Sequence, residues 1–576
     1  MNKRLITFLA LALTLLPIAV FWLYWAHLAV NVPKWDDHAL KFYLLESERE
    51  TTIWGKLYQL FKQHNEHRIV LDRVATWLDF NLFGKLNYRH LMVLGNACLL
   101  GVVAIFGVVI HSAHQGSAAG PKSPTDASDR PNPKSLLYLP PIAFLLFNLS
   151  SWENAFWGMA ALQNFGVVLW VVWAIYSLAF NRSLAGALML AFLATLTSGN
   201  GLIIWPIGTV LLALQRRSKP LLVWLASAVV VVGLYFVGYK KPAGNPPDRG
   251  GVVDLLKGWL AFNGASGEVF ALGNPFTACL VLGAILTIAL LTAGVWLLRN
   301  QIQLLRRTDP MSNQIQLFLL GCLAFGLGTA AIVAWSRVGF GMETLITSRY
   351  KIYSLLLLCV AYVFAVTHTS GRVRQLVGVL GLTGSAGLAS LSYLTYSDEV
   401  IWWRRWMLTN QYNWTFQTDR PVSTIDPTTA RWIDNAPAYY DPCLPAIYQP
   451  SPLSEPAELD SVYEANGQFF VRLKAAIRPS VRYPDNGMTV LLQSDKRTYI
   501  YGTLPDPAPN ALVALRRGLY PTEQQVASFP ANEPEPGTYR LSLLIYSSDG
   551  RSCLIRSTKH TLVVKPRPKN ELEKNW

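Results

Sequence analysis

Charge is what this sequence has least of. Of its 576 residues only 15% are Asp, Glu, Lys or Arg, where a soluble chain of this size carries about a quarter. That scarcity excludes a disordered chain, which needs low hydrophobicity and high charge to stay open. It equally argues against an ordinary multidomain soluble enzyme. Cysteine is sparse as well: six residues are far too few for a disulfide scaffold. Glycine and proline, 40 and 34 in number, follow no triplet period, which excludes a collagen-like chain. No internal repeat is visible. What the chain has in abundance is apolar surface: 52% hydrophobic and 12% aromatic residues, 20 of them Trp, with a mean hydropathy of +0.27.

The apolar residues come in runs, at about 5–30, 91–111, 135–149, 165–181, 184–198, 201–215, 220–238, 275–298, 314–335, 352–368 and 375–396. A bilayer crossing needs roughly 20 residues, so the pattern is that of a polytopic membrane protein with about 11 spans. The first run covers 26 residues with no A-x-A site behind it. A signal-peptide core is about 7–15 residues long, so this run reads as a retained span.

The net charge of +15 suggests nucleic acid until it is located on the chain. With the amino terminus in the cytoplasm, the inward-facing segments hold Lys3, Arg4, Lys122, Arg130, Lys134, Arg182, Arg216, Arg217, Lys219, Arg299, Arg306, Arg307, Arg372 and Arg374, against Asp126, Asp129 and Asp309. The short outer turns around Trp152 and Gly199 have no basic residue. The excess follows the positive-inside rule, and no nucleic-acid partner is implied. The carboxy terminus then lies outside. Cys98, Cys279, Cys322 and Cys359 fall inside spans as small packing residues. Cys443 and Cys553 lie outside, where a disulfide would persist, and sequence leaves their pairing open.

Three regions follow. Residues 1–396 form the membrane body, with a long outer loop at 31–90. Residues 397–462 form an interfacial connector that opens on Trp402, Trp403, Arg404, Arg405 and Trp406, an aromatic and basic set suited to anchoring at the interface. Residues 463–576 form a β-rich, extracytoplasmic module, with β-branched and aromatic runs at 468–473, 488–492, 498–501, 539–546 and 560–564 separated by turn residues. A sandwich and a barrel both fit. The inner loop 111–135, rich in Gly, Ser, Ala and Pro, reads as flexible.

The candidate chemistry sits in the outer loops. Trp35-Asp36-Asp37 directly follows the first span. The two carboxylates could cap the next helix or act on substrate. Apolar positions 53, 54, 57, 60 and 61 form a helical stripe suited to the bilayer surface, which leads into His64-Asn65-Glu66-His67-Arg68. His64 and His67 could share a metal or simply form the wet face of an interfacial helix. The second turn, Trp152-Glu153-Asn154, has Glu153 as its lone ionisable group. Arg337 and Arg349 flank a glycine-containing loop and can present guanidinium forks to a phosphate, or snorkel at span ends. A carboxylate to take a hydroxyl proton and cations to hold a phosphate leaving group are what glycosyl transfer from a lipid phosphate requires.

Trp35-Asp36-Asp37, His64-Asn65-Glu66-His67-Arg68, Trp152-Glu153-Asn154 and Ser348-Arg349-Tyr350 together resemble a bacterial group of the GT-C superfamily, multi-pass glycosyltransferases that use polyprenyl-phosphate-linked sugars. The resemblance covers about the first 400 residues. It implies a GT-C-like membrane body in the bacterial inner membrane, a catalytic role for Asp36 and Asp37, and two interfacial helices in the first outer loop. It also implies a glycan, lipid or protein acceptor. It admits, without requiring, a divalent cation such as Mg or Mn held by Asp37 and Glu153. On this reading Asp36 or Asp37 is the base, Arg337 and Arg349 with His67 or Arg68 hold the departing phosphate, and Glu153 orients the acceptor or a cation; His64 and Glu66 complete the substrate-binding set. The competing reading is non-catalytic: a lipid-linked-glycan transporter, or a structural partner of an envelope polysaccharide synthase. Its weakness is that the ionisable residues sit at span ends and in loops, whereas transporters place them near the midplane.

Overall fold

In an apolar surround a backbone polar group has no water to bond, and a helix satisfies its own groups internally. The apolar runs accordingly form helices. The computed structural model describes residues 3–116, 133–242, 250–270, 274–306, 313–425, 427–449, 456–474, 481–505, 524–546 and 553–566. Lys122, Asp126, Asp129, Arg130, Arg307 and Asp309, with most of the inner loop 111–135, lie outside the described residues. Among the described residues eight helices are long and apolar enough to cross a membrane: Arg4–Leu28, Tyr88–His114, Gly158–Ala179, Ser218–Phe236, Pro275–Leu305, Gln314–Phe340, Met342–His368 and Gly371–Thr415. Two more runs fall on the shorter apolar helices Leu184–Thr197 and Gly199–Leu214. The run at 135–149 forms only the short helices Pro133–Leu136 and Pro140–Leu146. Pro140 and Pro141 explain the break: neither has an N–H to continue a preceding helix, while both suit the first turn of a new one.

The chain divides into two compact units. Met1–Tyr24, Tyr43–Ala75 and Leu91–Tyr393 form a helical unit; Trp25–Phe42, Thr76–His90 and Leu394–Trp576 form a mixed one. In the helical unit, Gly264 and Gly283 let two helices approach closely. A Cβ on Gly283 would lie 1.7 Å from the Leu260 carbonyl oxygen, and one on Gly264 2.1 Å from that of Cys279. Small residues at such crossings are the usual means by which helices pack without a hydrophobic driving force.

The mixed unit carries the strands: β1 (Leu459–Ala465), β2 (Gln468–Leu473), β3 (Gly487–Gln493), β4 (Thr498–Gly502), β5 (Leu504–Pro505), β6 (Gln525–Pro530), β7 (Gly537–Tyr546) and β8 (Cys553–Val564). Among the described residues they form two antiparallel four-stranded sheets, ordered β1-β2-β6-β5 and β4-β3-β7-β8. The chain changes sheet at Thr503, whose hydroxyl bonds the Met488 carbonyl and Gln525 Oε1. A shared core joins them: Phe469, Val471 and Phe529 from one sheet pack with Val490, Tyr501 and Leu543 from the other. The Tyr501 and Phe529 rings stack 3.8 Å apart. Two open sheets facing one core make this a sandwich, not a barrel. β1, β5 and β6 are not among the strands expected from sequence; polar residues interrupt the apolar pattern of β1 at Asp460, Ser461 and Glu464 and of β6 at Ser528, and β5 has only two residues.

The helix Gly371–Thr415 runs well past residue 396. Its Trp403 and Arg405 are buried, and Arg404 bonds Asp485 through two nitrogens at 2.8 and 3.0 Å. Arg405 donates to the Met488 carbonyl at 2.6 Å. These two side chains have fixed protein partners, and the Arg404 fork to a carboxylate is a charge-assisted one, while Trp402 and Trp406 stay half-buried. The Asn413 amide makes two bonds with the Ile500 backbone, so β3 and β4 are buried along their length. Cys443 and Cys553, 110 positions apart, are joined as a disulfide.

Candidate functional site

The diacid belongs to the mixed unit, where its two members have different surroundings. Trp35 adopts a left-handed conformation, φ 39°, which turns the chain sharply ahead of the helix Asp37–Arg49. Asp37 Oδ2 accepts the Lys34 N–H at 3.1 Å, and the Asp37 N–H returns to the Lys34 carbonyl at 2.7 Å. The two bonds close a tight turn immediately ahead of the helix. Tyr88 donates its hydroxyl to the Asp37 carbonyl at 3.0 Å, and Asp37 is fully buried. Asp36 is only half-buried. Lys34 lies under aromatic rings, its Nζ 3.0 Å from the Trp403 centroid and 3.7 Å from that of Trp35. Beside them, burial and then the Lys41 charge push the His38 imidazole down to about 4.

The remaining candidates belong to the helical unit. Helix Ile53–Phe61 is capped by Thr52, whose side chain accepts the Gly55 N–H. At its other end Arg68 bonds the Phe61 carbonyl and Arg73 the Leu60 carbonyl, a favourable place for cations. Ile53 and Trp54 remain 65% and 77% exposed, as a stripe meant for a lipid surface would be. His64 and His67 exchange both backbone hydrogen bonds at 2.8 Å across Asn65 at φ 47°, so the segment is a tight turn and not a helix face. Asn tolerates that conformation better than most residues. His67 Nδ1 accepts the Gly199 N–H at 3.0 Å. In the neutral ring Nε2 must then carry the proton, which leaves no lone pair for a metal. Arg68 also binds the Tyr235 carbonyl, through Nε at 2.7 Å, and the Val237 carbonyl; its guanidinium ties this turn to the end of helix Ser218–Phe236. Glu66 pairs with Arg337 at 2.9 Å.

Glu153 and Arg349 come together. Arg349 Nε lies 3.5 Å from Glu153 Oε2. The backbone on either side is interlocked: Ser348 Oγ accepts the Glu153 N–H at 3.0 Å and donates to the Ser150 carbonyl at 3.1 Å. The Asn154 amide donates to the Arg349 carbonyl at 2.8 Å. Three residues with no role in the sequence reading extend this assembly. Asn164 donates to Asn154 Oδ1 at 3.0 Å, Tyr353 Oη lies 3.5 Å from Asn164 Oδ1, and the Asn200 amide donates to Tyr353 Oη at 2.8 Å. Asn164 stands in a π-helical segment, Ala161–Phe165, a distortion frequent at functional sites. The available signal was an uncharged amide inside or beside an apolar run, which hydropathy averages away. Lys351 and Glu268 form a further ion pair, with Lys351 buried.

A metal does not fit these residues. Among the described residues no three of His, Cys, Asp or Glu gather as a site. Asp37 accepts a backbone N–H, and Glu153 faces a guanidinium. No family model, curated protein or solved structure gives a match to this chain.

Proposed function

We propose that the chain is an integral-membrane glycosyltransferase of the GT-C kind, working on the outer face of the bacterial inner membrane. About eleven crossings would leave the carboxy-terminal sandwich outside. The disulfide Cys443–Cys553 supports that side, since such bridges persist in oxidising compartments. The observation that carries the reading is the Glu153–Arg349 pair with its amides, set at the ends of apolar helices. Polar groups are expensive in that setting and are kept where they work.

The donor is a polyprenyl-phosphate-linked sugar, and the acceptor a hydroxyl on an envelope glycan, lipid or protein. The acceptor oxygen attacks the anomeric carbon, and the bond from that carbon to the phosphate oxygen breaks on the opposite face, inverting the centre. Asp36, the accessible member of the diacid, takes the hydroxyl proton. Arg349 and Arg337 receive the departing phosphate, and Glu153 holds the Arg349 fork in position. Arg68, His64 and His67 shape the turn that presents Glu66 to Arg337. Asp37 supports the Asp36 turn through the Lys34 N–H. No metal enters any step. The test is incubation of the purified protein with labelled polyprenyl-phosphate sugars: transfer or slow donor hydrolysis that depends on Asp36 supports the reading, and inertness toward every donor overturns it.

A further inference from the structure

The assembly around Glu153 has more polar capacity than its internal bonds use. Asn200 gives its amide N–H to Tyr353 Oη, yet Asn200 Oδ1 is buried without a hydrogen-bond partner. Arg349 Nε, 3.5 Å from Glu153, is likewise buried without a hydrogen bond. Buried polar atoms of this kind are costly, and in native proteins each calls for an explanation such as a ligand or water. Both residues are half-buried as a whole, as are Asn164 and Glu153, so the row can be reached at these residues, while Asn154 and Tyr353 are buried. It is continuous from Asn200 through Tyr353, Asn164 and Asn154 to the Arg349 backbone.

The chemistry of the row narrows what it would hold. Carboxamides and a phenol each donate and accept, as sugar hydroxyls do, whereas a phosphate only accepts. The charges nearby are matched: Glu153 by Arg349, Lys351 by Glu268, and Glu66 by Arg337. A uronate or an amino sugar would bring an uncompensated charge into this half-buried place, which costs more than a hydroxyl that finds partners.

Resting on the glycosyltransferase reading, we infer that Asn200, Asn164 and Tyr353 form the subsite that reads the donor sugar, and that the sugar is a neutral one. Arg349 joins the row to the phosphate end, and the π-helical turn sets Asn164 at the angle the row requires.

The test uses the full-length protein in lipid nanodiscs with short-chain polyprenyl phosphate, bare or carrying a neutral hexose, an amino sugar or a uronic acid. For the wild type the neutral-sugar carrier should bind most tightly. Asn200→Leu and Asn164→Leu keep size but lose hydrogen bonding, so the ratio of affinities for neutral-sugar over bare carrier should fall about tenfold, the loss of one or two hydrogen bonds. Asn200→Asp keeps shape and adds a negative charge, and preference should move toward the amino sugar. That variant also decides the matter if a leucine variant does not fold. Wild-type discrimination that survives all three substitutions overturns the subsite and leaves the glycosyltransferase reading standing. A wild type that prefers a charged sugar overturns the assignment to a neutral one. A wild type that binds no sugar-bearing carrier better than the bare one overturns both.

Discussion

The helical unit buries amides and ion pairs among apolar helices and holds them with side-chain hydrogen bonds, as in the row from Asn154 to Asn200. The mixed unit has an apolar sandwich core, with Phe469, Val490 and Phe529 at its centre, and its polar groups fasten loops to strands, as Arg404 does to Asp485. In the first, polar atoms remain with capacity to bind something else. In the second, Arg404 and Asn413 spend theirs in holding the chain, although the Tyr501 and Tyr546 hydroxyls are also buried without a hydrogen bond. Lesions in the helical unit should therefore alter ligand binding, and lesions in the mixed unit should alter folding. Asp36, half-buried in the mixed unit, is the exception through which the proposed chemistry breaks that division.

The largest effect is expected there. Asp36→Asn should lower transfer by about 10²–10⁴-fold, the usual worth of general-base assistance, with donor affinity kept. Asp37→Asn replaces the charged acceptor of the Lys34 N–H by a neutral amide oxygen, and should lower thermal stability by about 1 kcal/mol with turnover falling only as folded protein is lost. Normal transfer by Asp36→Asn would return the diacid to a structural role.

Breaking the disulfide comes next. Replacing Cys443 and Cys553 by Ser frees a 110-residue separation and should destabilise the mixed unit by about 2–5 kcal/mol, measured by thermal unfolding. Donor binding at the helical unit should change far less; equal losses in both would erase the distinction between the units.

Acid should act on the mixed unit through His38. Its folded value, about 4 against an ordinary 6.5, means the folded state resists protonation. Stability is therefore full above pH 6.5, declines as pH falls from 6.5 to 4, and is flat below. The loss is on the order of 2–3 kcal/mol, reduced by the partial exposure of the ring. His38→Phe keeps the packing on Trp414 and should flatten that part of the stability profile. An unchanged slope would place the acid sensitivity elsewhere.

The smallest effect expected is at Arg349. Arg349→Lys keeps the charge but loses the planar fork opposite Glu153, and donor affinity should weaken about tenfold with little change in melting temperature. Unaltered donor binding would reduce Arg349 to a structural partner of Glu153.

Much of the architecture was legible because apolar runs and alternating strands have periods that any single segment displays. β2 falls on 468–473 as expected, and β3, β4 and β7 extend their expected runs by a residue or two; β8 begins well before 560, at Cys553. The candidate site was legible in part. Glu153 and Arg349 stood out as charges in apolar company, and they meet. His64, His67 and Arg68 stood out equally, and the structure gives them a turn and backbone carbonyls. Asn164, Asn200 and Tyr353 carried little signal, because an amide or a phenol at the edge of an apolar run barely alters hydropathy.

The sequence by itself determined the class of the chain: hydrophobic runs too long for a soluble core, a basic excess sorted by loop, and a β-rich end. Those are properties of composition and short-range period, and they need no knowledge of which residues meet. Tertiary structure alone decided which polar groups act in pairs, that Asp37 is sealed while Asp36 is open, that the two sheets share one core, and that Cys443 meets Cys553. Each of these depends on residues tens to hundreds of positions apart, and hydrogen bonds and packing act over a few ångströms of space, irrespective of distance along the chain.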